Sequence, residues 1–159
     1  MDESGNMRAA FLTEIHRYEL GEKEPSALGS EDLRIRIHSS AICGTDLAIW
    51  AGKQPGLSLP IVGGHEATGV VEEVGAGVGS PAVGDHGSLA RPIFCGECRP
   101  CSIGKAHLCN NIRYPGIDID GGFAEYLTVP HQIAWVNPPE ISHEIAAMME
   151  PFGISVHAS

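Results

Sequence analysis

Four of the five cysteines, Cys95, Cys98, Cys101 and Cys109, fall in one short stretch with the spacing C-x2-C-x2-C-x7-C. Thiolates this close in sequence can converge on one tetrahedral metal ion. Gly96, Pro100 and Gly104 lie between them and are turn formers, so the stretch reads as a compact loop. It holds few apolar residues, so something other than a hydrophobic core must order it. Disulfides fit poorly, because cysteines three apart pair badly and nothing marks the chain as secreted. The bacterial iron–sulfur pattern continues C-x3-C-P, not with seven intervening residues. A nucleic-acid zinc ribbon wants two separated C-x2-C knuckles and a basic surface. The segment is therefore read as a structural zinc site closed by four cysteines.

The rest of the chain sets the setting of that lobe. Its 159 residues suffice for one domain with a core. A net charge of -10 without a basic run argues against nucleic acid or an anionic membrane as partner. No apolar run approaches the roughly 18 residues of a membrane span. The start, Met1 to Asn6, is acidic and polar, unlike a signal peptide, and is expected to be a disordered extension. With the thiols committed to metal, a reducing cytoplasm is the expected compartment. The 20 glycines and 11 prolines suit a turn-rich, mainly β protein with short helices.

Met7 to Thr13 reads as a first strand, followed by a polar connection broken at Gly21, Pro25 and Gly29. Asp32 to His38 alternates strictly: Leu33, Ile35 and Ile37 on one face, Arg34, Arg36 and His38 on the solvent side. A short helix is expected from Thr45, as N-cap, to Trp50, and a strand from Thr68 to Val74. Gly75-Ala76-Gly77-Val78-Gly79 superficially suggests a dinucleotide fingerprint, but Ser80 stands where G-x-G-x-x-G needs glycine and Pro81 blocks the following helix. It is read as a turn. Further strands are expected over Pro81–Leu89, after Gly121-Gly122, and over Ile133–Val136. Ser142 caps a helix over Ile145–Met149, which Glu150-Pro151 interrupts.

Cys43 and His65 would each, alone, read as buried core residues. Their contexts differ. Both sit at strand boundaries beside glycine, Cys43 before Gly44 and His65 after Gly63-Gly64, and Glu66 follows His65. Glu150 follows an apolar helix, an odd place for a carboxylate unless something pairs with it. Cysteine, histidine and carboxylate together make a mixed ligand set that suits a zinc ion with an open position.

Cys43-Gly44-Thr45-Asp46, Gly64-His65-Glu66, the cysteine lobe, Gly121-Gly122-Phe123-Ala124-Glu125-Tyr126 and Glu150-Pro151 stand in the order seen in zinc-dependent medium-chain alcohol dehydrogenases. From Met7 onward the chain resembles their GroES-like catalytic domain, within the threonine and polyol dehydrogenase branch. The resemblance implies a partly open β-barrel bearing the zinc lobe at residues 91–113, and two zinc ions per chain. It matches Cys43 and His65 to catalytic zinc ligands, with Glu66 or Glu150 completing the shell. It matches Thr45 to the hydroxyl that takes the substrate proton, and Asp46 to the carboxylate that fixes the zinc-bound histidine. Cys95, Cys98, Cys101 and Cys109 match the structural zinc. The implied reaction is oxidation of a small secondary alcohol, with a hydride passing to NAD or NADP, in a full-length enzyme that is a dimer or tetramer.

Three departures qualify it. Ala48 replaces the histidine that relatives carry two residues after the Cys-Gly-Thr-Asp motif. Gly84-Asp85-His86-Gly87 replaces the usual Gly-Asp-Arg-Val. No Rossmann domain follows within residues 7–159, so the domain is expected to be truncated before the nucleotide-binding half and inactive by itself. A non-enzymatic zinc-binding or association module is the alternative reading.

Overall fold

The computed structural model describes residues 5–89 and 92–159. Of the expected extension only Gly5 and Asn6 are among them; residues 1–4, and Arg91 at the expected start of the lobe, lie outside.

The alternating run becomes the strand about which the larger sheet is built. Leu33 and Ile35 in β3 (Asp32–Ala41) are fully buried, while Arg36 and His38 are exposed, the period-2 pattern of a half-covered strand. β3 pairs antiparallel with β5 (Glu66–Val74) on one side and β7 (Tyr126–Pro130) on the other. β6 (His86–Leu89) and β8 (Ala134–Val136) extend the order to β7-β3-β5-β6-β8. Leu33, Ile35, Val71, Leu89, Leu127, Val129 and Ile133 pack on its inner face. Burying each such side chain stabilises by about 1.5–3 kcal/mol.

A smaller sheet, β2-β1-β4, contains β1 (Met7–Glu14), β2 (Arg17–Lys23) and β4 (Ile61–Val62). β2 corrects the expectation of an irregular connection there. It pairs with β1 from Met7↔Lys23 to Leu12↔Tyr18. Its side chains are exposed or half-buried, so no apolar alternation marks it; backbone pairing across a hairpin turned at His16 (φ 69°) forms it. Residues 123–125 stitch the two sheets: Ala10 N–H donates to Phe123 O (2.8 Å), Glu125 N–H to Arg8 O (3.0 Å), and Ile37 N–H to Glu125 O (2.9 Å). The sheets stay open, as expected of a partly open barrel.

Gly75–Gly79 is the expected turn, closed by Val78 N–H to Gly75 O at 3.0 Å. The strand expected over Pro81–Leu89 begins only at His86, because Asp85 Oδ2 accepts the Ala82 N–H (2.8 Å) and Gly84 adopts φ 94° to make a turn. α1 (Gly44–Trp50) is capped at Cys43 rather than Thr45: Asp46 Oδ2 accepts the Cys43 N–H at 2.7 Å. Ser142 caps α3 (His143–Ala146) as expected, with its Oγ accepting Ile145 N–H at 3.4 Å. That helix then stops early. Glu150 and Pro151 interrupt nothing; they lie in the first turn of α4 (Met149–His157), where proline's missing N–H forfeits no helix bond. Among the described residues, no helix is long and apolar enough to cross a membrane.

Candidate metal centres

The lobe leaves the larger sheet through a narrow neck. Ile93 N–H donates to Arg113 O (2.8 Å) and Arg113 N–H returns to Ile93 O (2.9 Å). Ile93 is buried in the main core, which roots the neck. Beyond it run α2 (Arg99–Ser102) and a 3-10 turn at Ala106–Leu108. Sγ–Sγ separations are 3.4 Å for Cys98–Cys101, 3.8 Å for Cys98–Cys109 and 3.5 Å for Cys95–Cys109. Sulfurs bound to one tetrahedral zinc at 2.3 Å would stand ~3.8 Å apart, whereas a disulfide needs ~2.05 Å. Backbone N–H groups of Cys95 and Asn111 both reach Cys109 Sγ at 3.3 Å. Hydrogen bonds from Cys98 and Glu97 backbone lower the Cys95 pKa to about 6, while burial and then the Cys98 thiol push Cys101 up to about 12, so the four thiols do not ionise together without a cation. The four residues fit a closed zinc site.

A second group forms where β3, α1 and β5 meet. Ligand atoms of Cys43, His65 and Glu66 all lie within 4.8 Å of one another. Cys43 ends the chain's exit from β3, and Glu66 opens β5 in register with Ala41, so strand pairing brings them together. His65 is 1% exposed and Glu66 5%. Both His65 ring nitrogens are buried without a hydrogen-bond partner. Asp46, 3% exposed, holds Oδ1 at 3.5 Å from His65 Nδ1. Among the described residues, no lysine or arginine pairs with Asp46 or Glu66. A half-buried thiol beside a buried imidazole and two buried carboxylates without a cation is costly, and a divalent ion satisfies them. The sulfur, nitrogen and oxygen donors suit zinc. Thr45 Oγ1 lies 3.7 Å from Cys43 Sγ. Glu150, second residue of α4, is half-buried and stands outside this three-residue group.

Comparison with known proteins gives the family. The alcohol dehydrogenase GroES-like domain matches residues 29–139. This chain belongs to that family. The starvation-sensing protein RspB of Escherichia coli (strain K12) is 35% identical over 153 residues, covering 96% of this chain and 45% of RspB. L-threonine 3-dehydrogenase of Bacillus subtilis (strain 168) is 38% identical, covering 98% of the chain and 46% of the enzyme. The chain thus spans about half the length of the curated relatives it matches. Among solved structures, the alcohol dehydrogenase rspB from E. coli CFT073, complexed with NADH, superposes with TM-score 0.88 at 34% identity over 96% of this chain and 44% of that one. Galactitol-1-phosphate dehydrogenase from E. coli gives TM-score 0.89 at 29% identity, with the same coverage of each.

Within this GroES-like domain, glycines aim the histidine, a role the sequence did not disclose. Gly64 adopts φ 89°, and a Cβ there would stand 2.5 Å from the Phe123 ring. A Cβ on Gly121 would stand 2.0 Å from Gly64 O. The close approach lets Gly122 N–H reach Gly64 O (2.8 Å) and Phe123 N–H reach Gly63 O (2.9 Å). The paired Gly-Gly dipeptides were the available signal. Asp120 was also missed: its Oδ1 accepts Val62 N–H at 3.0 Å while Oδ2 pairs with Lys23. Behind Asp46 opens a cavity of about 500 Å³ lined by Tyr18, Ser40, Trp50 and Phe123. Burial first, then the Asp46 charge, raises the Tyr18 pKa above its ordinary 10.0.

Proposed function

We propose that this chain is the metal-binding catalytic half of an NAD- or NADP-dependent dehydrogenase oxidising a small secondary alcohol, and that it holds two zinc ions. The unpartnered, enclosed ring of His65 beside Cys43 and Glu66 is the observation behind this reading. Cys95, Cys98, Cys101 and Cys109 hold the structural ion. Cys43, His65 and a carboxylate, Glu66 or Glu150, hold the catalytic one.

Zinc supplies Lewis acidity, which makes an alcohol hydroxyl a stronger acid. Thr45 Oγ1, beside Cys43 Sγ, is placed to take the alcohol proton. Asp46 Oδ1, 3.5 Å from His65 Nδ1, is near enough to accept its N–H once the ring tightens onto a metal, which would leave Nε2 as the donor to that metal. Ala48 offers no second proton acceptor on α1, which disfavours threonine as the substrate. The nicotinamide, which takes the hydride, requires a nucleotide-binding partner domain, and the complete enzyme is a homo-oligomer with its GroES-like domains free of nucleic acid and membrane.

Metal analysis tests the assignment: two zinc ions per chain, falling to one in Cys43→Ser. A zinc-free folded chain overturns it. Catalysis is tested by joining residues 7–159 to the remaining half of the B. subtilis relative. The chimera should oxidise secondary alcohols and lose that activity in Thr45→Ala. A zinc-loaded but inert chimera favours the non-enzymatic module.

A further inference from the structure

His86 stands in Gly84-Asp85-His86-Gly87, and the structure gives it company. His38 of β3 and His143 of α3 stack face to face, centroids 4.1 Å apart and planes 5° from parallel. His86 of β6 meets the His143 ring edge-on at 4.1 Å and 60°. His86 Nε2 lies 3.0 Å from Thr68 Oγ1, whose hydroxyl donates to Gly87 O at 2.8 Å. Thr68 has one hydrogen, already given, so it accepts from His86 Nε2–H. His143 Nδ1 is buried without a partner. Parallel rings do not converge on a cation, and the three histidines are not among the described groups able to hold one.

The stack bridges the sheet to a weakly held element. α3 has four residues, far short of the ~12–15 a helix needs to persist alone. Apart from the rings, Ser88 Oγ–H donates to Ala146 O (2.8 Å), Asn137 supports Ser88 (2.7 Å), and Ala146 and Ala147 are buried.

We propose that the His38–His143–His86 stack is an acid-sensitive latch that docks α3 on the sheet when neutral and releases α3 and the start of α4 when protonated. A charge on His143 would face a second imidazole at 4.1 Å and a third at its edge. The surrounding groups offer little relief. From β3 comes Arg36, a further positive charge, already paired with Glu72 of β5 at 2.9 Å. From α3 comes Glu144, exposed and hydrogen-bonded at its own helix start. α4, which packs on β5 and β6, brings Glu150 and His157. Asp85, next to His86, is engaged with Ala82.

Desolvation of the ring faces, then neighbouring positive charge, lowers all three histidine pKa values below the ordinary 6.5, His38 included although it is otherwise exposed and His143 in spite of the opposing Glu144 charge. The released rings therefore bind protons more readily than the docked ones. Docking is strongest above pH 6.5 and weakens as the pH falls below it. The inference needs neither metal ion, although the released segment carries Glu150.

Amide hydrogen exchange of the zinc-loaded chain, read by NMR between pH 7.5 and 5.5, tests it. Beyond the intrinsic pH effect, residues 142–152 should lose protection at least tenfold on acidification. Protection of residues 95–109 and of residues 43–46 and 65–67, read in the same spectra, should hold and so exclude loss of either zinc ion as the cause. His38→Phe keeps a stacked ring without a charge and should retain protection at pH 7.5 while blunting the acid loss. His143→Gln should make the segment's protection independent of pH. Protection that follows intrinsic chemistry alone, or an undiminished acid loss in both variants, overturns the latch.

Discussion

Asp46 Oδ1 lies 3.5 Å from His65 Nδ1, while Asp46 Oδ2 accepts the Cys43 N–H at 2.7 Å. One carboxylate thus aims two candidate ligands from different segments. It caps α1, which fixes where Cys43 leaves β3, and its other oxygen faces the His65 ring. Asp46→Asn keeps an acceptor for the cap but loses the charge beside the ring. It should weaken zinc at Cys43 and His65 by ~10–100-fold and leave the lobe ion unchanged. Chelator competition, following two zinc ions per chain, measures this. Equal affinity in the variant would show that Asp46 serves the helix alone.

The glycines that carry His65 make a second comparison. Gly64 (φ 89°) has the Phe123 ring 2.5 Å from where a Cβ would be, whereas Gly96 (φ 76°) has nothing within 4 Å. Gly96→Ala should cost the ~1–2 kcal/mol of left-handed backbone. Gly64→Ala adds a clash that moves either Phe123 or the histidine segment, so its cost should exceed that of Gly96→Ala by about 1–3 kcal/mol. Urea unfolding measures both. Only Gly64→Ala should also empty the Cys43–His65 site.

Much of this was legible beforehand, and the exceptions share a cause. Leu33 and Ile35 declared β3 because burying one face forces a period of two. The cysteine spacing declared the lobe because thiolates on one ion must be neighbours. Arg17–Lys23 did not declare β2, because that edge strand is held by backbone pairing and buries almost nothing. Thr45 looked like the cap of α1, yet the cap comes from Asp46 reaching back to Cys43, a choice between adjacent oxygens that propensity does not resolve. Gly64 meeting Gly121 depends on β4 and the 121–123 turn coming together, which no local pattern records.

Arg8 and Glu125 offer a pH test away from the metals. Glu125 accepts the Arg8 backbone N–H at 2.8 Å and the guanidinium at 2.9 and 2.7 Å. The backbone bond first, then the side-chain bond, lowers its pKa below 4.5. A depressed carboxylate stabilises the fold above its unfolded pKa, and that contribution is lost as the pH falls through the folded value. Arg8→Ala removes the guanidinium but keeps the N–H. Carbon-13 NMR should show Glu125 titrating higher in the variant, though still below 4.5. An unmoved titration would assign the whole shift to the backbone.

The lobe should melt alone. Cys109 is the one buried cysteine of its four, and its sulfur receives two backbone N–H groups as well as contacting Cys95 and Cys98. Cys109→Ser should therefore cost the lobe ion outright. Without it, α2 and the 3-10 turn at Ala106–Leu108 have almost nothing buried to hold them. The neck is rooted at Ile93 in the main core, so the disruption should stop there. Hydrogen exchange should find residues 95–109 unprotected in the variant while Leu33, Ile35 and Val71 exchange as slowly as before. Adding a strong chelator to the native chain should reproduce that pattern and additionally loosen the Cys43–His65 segment. Loss of protection across β3 in Cys109→Ser would mean that the lobe ion supports the whole domain, not the loop that binds it.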